Sequence, residues 1–266
     1  MNIPNSTLDQ LFKSLEEYNP TTNDVMEKIS KVLIPLGIAI LGFLFLLEYM
    51  DMSKKMRAED GRMGTDILID LSAKYLIAFV LIMTSGYIVD AIVWFGIQMS
   101  KWINSVITVT GNSDAIPQMA KVAWWQKPIV FLFEIFAYFA LWVSGIVANI
   151  LIFLRSVQLY IVKAVAPILI AFFVSDELRS IAIGFLKQVM AFVLQGALLV
   201  LIIGLIPALT ANDYLSFATF EGGIWESAGA VIINIMIYIA LILKYIAIIM
   251  LLIGSQNMAK RFVGAM

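Results

Sequence analysis

The 266 residues contain no cysteine and no histidine. That removes disulfide frameworks, thiolate or imidazole metal sites, His-ligated haem and Cys–His or Ser–His nucleophilic catalysis. Charge is scarce as well: Asp, Glu, Lys and Arg make up 14% of the chain, against about 25% in an ordinary soluble domain. No G-x-x-x-x-G-K-[ST] run is present to cradle a nucleotide, and no GxGD run of an intramembrane aspartyl protease occurs. The formal net charge is −1, with no basic tail or stripe of the kind that neutralises phosphates. No catalytic, cofactor-binding or metal-ligating residue is therefore expected, and the chain reads as a non-enzyme.

What fills the space is apolar. Hydrophobic residues are 61% of the chain, and mean hydropathy is +0.92. A chain of this size cannot bury that much apolar surface within itself. Lipid must solvate the rest, so the expected fold class is an all-α polytopic membrane protein.

A span needs about 20 mostly apolar residues. Five such runs are expected, at about 32–49, 74–100, 128–154, 183–209 and 228–254, within a transmembrane domain of 32–254. Residues 1–31 precede them as an amphipathic segment: Leu8, Leu11, Phe12 and Leu15 recur at i, i+3, i+4 and i+7. Asn19-Pro20 ends that pattern, and a second helix is expected from Asn23 or Asp24, with Glu27 completing a capping box. The short first helix suits the membrane surface or a partner helix. Trp102, Trp124 and Trp125 flank a polar segment at 101–127, and Thr110–Asp114 reads as a turn within it. A second loop is expected at 210–227, with Asp213, Glu221 and Glu226 but no Lys or Arg, and residues 255–266 form a tail.

One apolar run is too short. Ala164–Val174 follows Arg155, Ser156, Gln158, Tyr160 and Lys163 and contains Pro167. Its length as helix, about 16 Å, falls short of a hydrocarbon core of about 30 Å. Residues 156–174 are therefore expected to be tilted, broken or re-entrant, sheltered by other helices.

Loop charge sets orientation. Lys54, Lys55, Arg57, Arg62, Lys74, Arg155, Lys163, Arg179, Lys187, Lys260 and Arg261 fall on one side of a five-span topology. Lys13, Lys28, Lys31, Lys101, Lys121 and Lys127 fall on the other. Eleven against six places the N-terminus outside and the C-terminus in the cytoplasm.

Charges at bilayer depth are costly and often functional. Glu134 and Lys163 stand near span ends, where a side chain can reach the interface. Asp90 and Lys244 lie deeper and form a candidate pair, which either pins two helices or lines a polar path. Gly37 and Gly42, Ser85 and Gly86, Ser144 and Gly145, and Gly196 and Ala197 are small-residue sites that let helices approach. The fourteen Met residues show no regular spacing that would suit a soft-metal path.

The stretch Ser156-Val-Gln-Leu-Tyr-Ile-Val-Lys-Ala-Val-Ala-Pro-Ile-Leu-Ile-Ala-Phe-Phe is followed by Ser175-Asp-Glu-Leu-Arg-Ser-Ile-Ala. Then comes Gly184-Phe-Leu-Lys-Gln-Val-Met-Ala-Phe-Val-Leu-Gln-Gly. Together they resemble the VirB6/TrbL family of type IV secretion and plasmid conjugal-transfer membrane proteins, in a compact form like that of Gram-positive conjugative elements. The resemblance is specific over about 156–196 and topological elsewhere. It implies an inner-membrane channel subunit that assembles with itself and with other secretion subunits. Separate ATPases would supply energy, and the cargo would be relaxase-bound single-stranded DNA or protein. The residues give no support of their own for DNA, since no basic or base-stacking groove is visible. Tyr160, Lys163, Pro167, Arg179, Lys187 and Gln195 are the candidate channel or subunit-interface residues. A small ion-coupled transporter and a non-conducting scaffold are the alternatives. A single broken segment without an internal repeat speaks against the transporter.

Overall fold

The computed structural model describes residues 5–58, 65–107, 124, 127–211 and 229–265. Among these residues all regular structure is helical: α1 (Asn5–Leu11), α2 (Leu15–Tyr18), α3 (Pro20–Ala58), α4 (Thr65–Met83), α5 (Ser85–Ile107), α6 (Lys127–Ala171), α7 (Arg179–Ala211) and α8 (Ala230–Val263). Four helices are long and apolar enough to cross a membrane: α3 over Pro20–Lys54, α6, α7 over Arg179–Leu205, and α8. The bent pair Leu68–Met83 and Ser85–Ile107 gives a fifth if it is one span. This is the expected all-α polytopic architecture. The expected turn at Thr110–Asp114, Trp125 and residues 212–227 of the expected loop lie outside the described residues, while Thr210 and Ala211 belong to α7.

The helices divide into two compact units. Unit 1 comprises 1–12, 97–154 and 195–259; unit 2 comprises 13–96, 155–194 and 260–266. In unit 1, Gly204 sits against Ile107: a Cβ at Gly204 would lie 2.7 Å from that side chain, so the helices meet where a side chain is missing. Also in unit 1, Tyr238 on α8 lies close enough to Glu134 on α6 for the two to interact electrostatically.

In unit 2, α3 packs along α4. Glu48 accepts from Lys74 at 2.9 Å and from the Tyr75 hydroxyl at 2.8 Å, and Tyr75 meets Phe45 edge-on at 5.0 Å. Near the other end of α3, Asn23 meets Lys163 at 3.2 Å. Asn23 and Glu48 are separated by about 38 Å of helix at 1.5 Å per residue. That separation brackets a hydrocarbon core of about 30 Å. Gly37 stands between them, and a Cβ there would lie 2.7 Å from the Pro167 carbonyl, so α3 and α6 touch backbone to backbone.

The termini of these helices depart from the sequence reading in four places. First, α3 starts at Pro20, not at Asn23 or Asp24. Asn19 Oδ1 accepts from the Thr22 amide at 3.0 Å, which makes Asn19 the N-cap and Pro20 the first helical residue. The capping box forms upstream, where Ser14 and Glu17 exchange bonds at 2.8 and 3.2 Å and divide the amphipathic segment into α1 and α2. Asp24 and Glu27 instead pair with Lys28 and Lys31 along the exposed first turns.

Second, residues 156–171 are not a separate broken piece: α6 runs unbroken from Lys127 to Ala171, through Arg155 and Pro167. No glycine or cap residue interrupts it at 155–163, and Arg155, Tyr160 and Lys163 find partners within unit 2. The chain turns only at 172–178, where Arg179 N–H bonds the Ser175 carbonyl at 2.8 Å. Third, the break falls in the expected second span, bent by 66° at Thr84. Thr84 Oγ1 bonds back to the Val80 carbonyl at 2.8 Å, and Ser85 and Gly86 follow, the combination that kinks helices. Fourth, α7 begins at Arg179 instead of 183, and α8 runs on through Lys260 and Arg261, so most of the expected tail is helical.

A buried polar stripe as candidate functional site

Tyr160, Lys163 and Pro167 are spaced i, i+3 and i+7 on α6, which places them on one helix face. That face meets α2 and the start of α3. The Tyr160 hydroxyl donates to the Leu15 carbonyl at 2.5 Å and to the Asn19 carbonyl at 3.4 Å. Leu15 opens the α2 turn and Asn19 closes it, so Tyr160 ties both ends of that turn to α6 from about 140 positions away. One turn on, Lys163 Nζ donates to Asn23 Oδ1 at 3.2 Å and pairs with Asp90 Oδ2 at 2.8 Å. The Lys163 side chain is 6% exposed and that of Asp90 44%. One junction thus joins α3, α5 and α6, with the cation inside and the carboxylate at the surface.

This changes two expectations. The partner expected for Asp90 was Lys244, but the ion pair forms with Lys163. Lys244 is half-buried on α8 in unit 1 and has an interaction of its own. Lys163, expected to reach the interface freely, is buried and held by two partners. The hydrogen bond to Asn23 also sets Lys163 beside the N-terminal segment, whereas the charge tally put them on opposite sides. Lys163 and Arg155 are both buried within helix packing and are not loop charges. With both removed the tally is nine against six, and its sign is unchanged.

The remaining candidates are scattered. Arg179 pairs with Asp176 at 3.0 Å and lies over the Phe173 ring at 6.0 Å, in the turn before α7. Lys187 donates to the Gly264 carbonyl at 3.3 Å. Gly264 has φ 64°, and the Ala265 amide bonds the Lys260 carbonyl at 2.9 Å, a Schellman ending of α8 that Lys187 reinforces. Gln195, on α7 in unit 1, is buried, and its Oε1 has no hydrogen-bond partner among the described residues. The structure therefore brings Tyr160, Lys163 and Pro167 together and adds Asp90 to them; Gln195 belongs to the other unit.

Sequence reasoning missed Arg155 as a site residue. It is 4% exposed, and its Nε donates to the Phe192 carbonyl at 2.9 Å. An arginine directly after the long apolar run 128–154 is the available signal. Asn23 stands in the sequence only as a candidate helix start, and Glu48, at the end of the run 32–49, carries no signal of its own; Lys74 and Tyr75 give Glu48 its role. No group of residues suited to holding a metal ion occurs among the described residues.

A family model described as TrbL/VirB6 plasmid conjugal transfer protein matches residues 66–253. No curated protein and no solved structure matches the chain. The matched region takes in Asp90, the whole of α6 and the turn before α7. The chain belongs to the TrbL/VirB6 family and is a membrane component of a conjugal-transfer or type IV secretion machine.

Proposed function

We propose that this TrbL/VirB6 family member is a channel-forming subunit in the bacterial cytoplasmic membrane, assembling with copies of itself and with other secretion subunits. It does no chemistry of its own: separate secretion ATPases drive the transfer. The cargo is single-stranded DNA with its relaxase, or protein. The N-terminus lies outside and the C-terminus in the cytoplasm, in keeping with the loop-charge excess on the side of Lys54, Lys55, Arg57, Lys260 and Arg261.

One observation carries the reading beyond family membership. Asp90 is a half-exposed carboxylate fixed by a buried lysine on an otherwise apolar surface. Tyr87 and Trp94, one turn to either side, are exposed large hydrophobics. A charge held there at the cost of burying an ammonium marks a surface that meets water, cargo or a partner subunit. Tyr160, Lys163 and Pro167 are the residues that shape it, by tying α2, α3 and α5 to α6.

The test is a mating or secretion assay in cells whose own copy is deleted. Wild type should restore transfer and co-purify with secretion ATPases and sibling subunits. Asp90→Asn and Lys163→Met should reduce transfer while leaving membrane levels within about twofold of wild type. A chain that purifies without partners and supports solute uptake in vesicles would instead favour the transporter.

A further inference from the structure

The exposed side of α6 in unit 1 carries a seam. Phe131, Ile135, Tyr138, Trp142, Gly145 and Asn149 follow each other at steps of four and three residues, the spacing at which two helices interlock. All but Gly145 are exposed, and Gly145 is half-exposed. A Cβ at Gly145 would meet nothing within 4 Å, so the backbone there is open to close approach. Asn149 is the polar member. Its Nδ2 donates to the Gly145 carbonyl at 3.0 Å, and its Oδ1 accepts no hydrogen bond among the described residues. Trp142 precedes it on the surface and Ile150, Phe153 and Leu154 follow it, all exposed. The amide therefore stands on an apolar helix surface whose exposed neighbours offer it no hydrogen bond.

We infer that this seam is the interface with a second copy of the chain, the α6 helices meeting at Gly145 and exchanging hydrogen bonds through Asn149. An asparagine amide is both donor and acceptor, so an identical face supplies the group that each copy lacks. A single Asn at an interior seam position is also the residue that sets register and copy number between paired helices. Gly145 adds the close backbone approach that membrane helix pairs favour. The inference rests on the self-assembly proposed above and names the surface that makes it.

The absence of cysteine makes the test clean. Gly145→Cys and Ile135→Cys lie on the seam, and Met250→Cys, on the exposed surface of α8, is the control. Oxidation in native membranes should give a disulfide-linked species of twice the 29.6 kDa chain mass from both seam positions and none from the control. Adding Asn149→Leu to Gly145→Cys should cut the dimer yield about tenfold, and Asn149→Gln should retain it. Equal dimer from Met250→Cys, no dimer from either seam position, or a yield unmoved by Asn149→Leu would overturn the interface. So would adducts formed with a protein of another mass. Transfer by the same variants reads the proposed function separately: intact transfer without seam dimers rejects the interface and leaves the function standing.

Discussion

Lys163 and Asp90 pair at 2.8 Å across the α5–α6 contact, with the ammonium buried and half of the carboxylate side chain at the surface. The two ends of the pair are therefore unequal, and the asymmetry can be measured. Removing Asp90 strands a buried cation that keeps only Asn23 as an acceptor. Removing Lys163 leaves a carboxylate that can be solvated from its open side. Asp90→Ala should cost about 3–5 kcal/mol, the range for an uncompensated buried charge. Lys163→Met should cost less, about 1–2 kcal/mol. Unfolding in a mild detergent, followed by circular dichroism, checks the order; equal losses would mean that the lysine is solvated.

Tyr160 anchors the N-terminal segment through one hydroxyl and two carbonyls. Tyr160→Phe keeps the ring and removes only the bond, so the loss should be about 1 kcal/mol. Its signature should be local: faster proteolysis between Lys13 and Asn19, with the midpoint of global unfolding little changed. A global loss with unchanged proteolysis would contradict the anchoring role.

Gly37 and Gly42 lie on the same helix in opposite surroundings. A Cβ at Gly37 meets the Pro167 carbonyl, a backbone atom that cannot swing aside, whereas a Cβ at Gly42 meets nothing within 4 Å. Gly37→Ala should destabilise by about 1–3 kcal/mol through overpacking. Gly42→Ala should be neutral or stabilise by up to about 1 kcal/mol through helix propensity. Thermal unfolding of the two variants side by side checks this.

The bend at Thr84 should yield to its causes. Replacing Thr84, Ser85 and Gly86 with Ala removes the back-bonding Thr84 hydroxyl and the Ser-Gly pair that follows it. Spin labels at Leu76 and Trp94, both exposed on the two arms, should then move apart as the 66° angle opens. An unchanged distance would mean that packing from neighbouring helices, and not these residues, sets the bend.

Much of this architecture is legible in the chain because lipid imposes a simple rule. Long apolar runs become helices: the runs at 32–49, 128–154 and 183–209 lie inside α3, α6 and α7, and the described part of the run at 228–254 lies in α8 from Ala230 on. The polar break at Ser175–Arg179 is legible for the same reason. The stretch at 155–163 was misleading: five polar residues look like an interruption only while their partners are unknown. The partners of Tyr160 and Lys163, namely Leu15, Asn19, Asn23 and Asp90, are 73 to 145 positions away, and that of Arg155, Phe192, is 37 away; no local pattern announces them. The kink at Thr84 had a local signal, Thr-Ser-Gly, but small residues in a membrane helix serve packing as readily as bending.

The central claim is that this chain forms part of the conduit. The most direct measurement places a photo-crosslinking residue at Tyr87, exposed one turn from Asp90, in cells engaged in transfer. The account predicts covalent capture of the transferred strand or protein at that position, and no capture when the secretion ATPases are inactive. Crosslinks to lipid alone during undiminished transfer would contradict it.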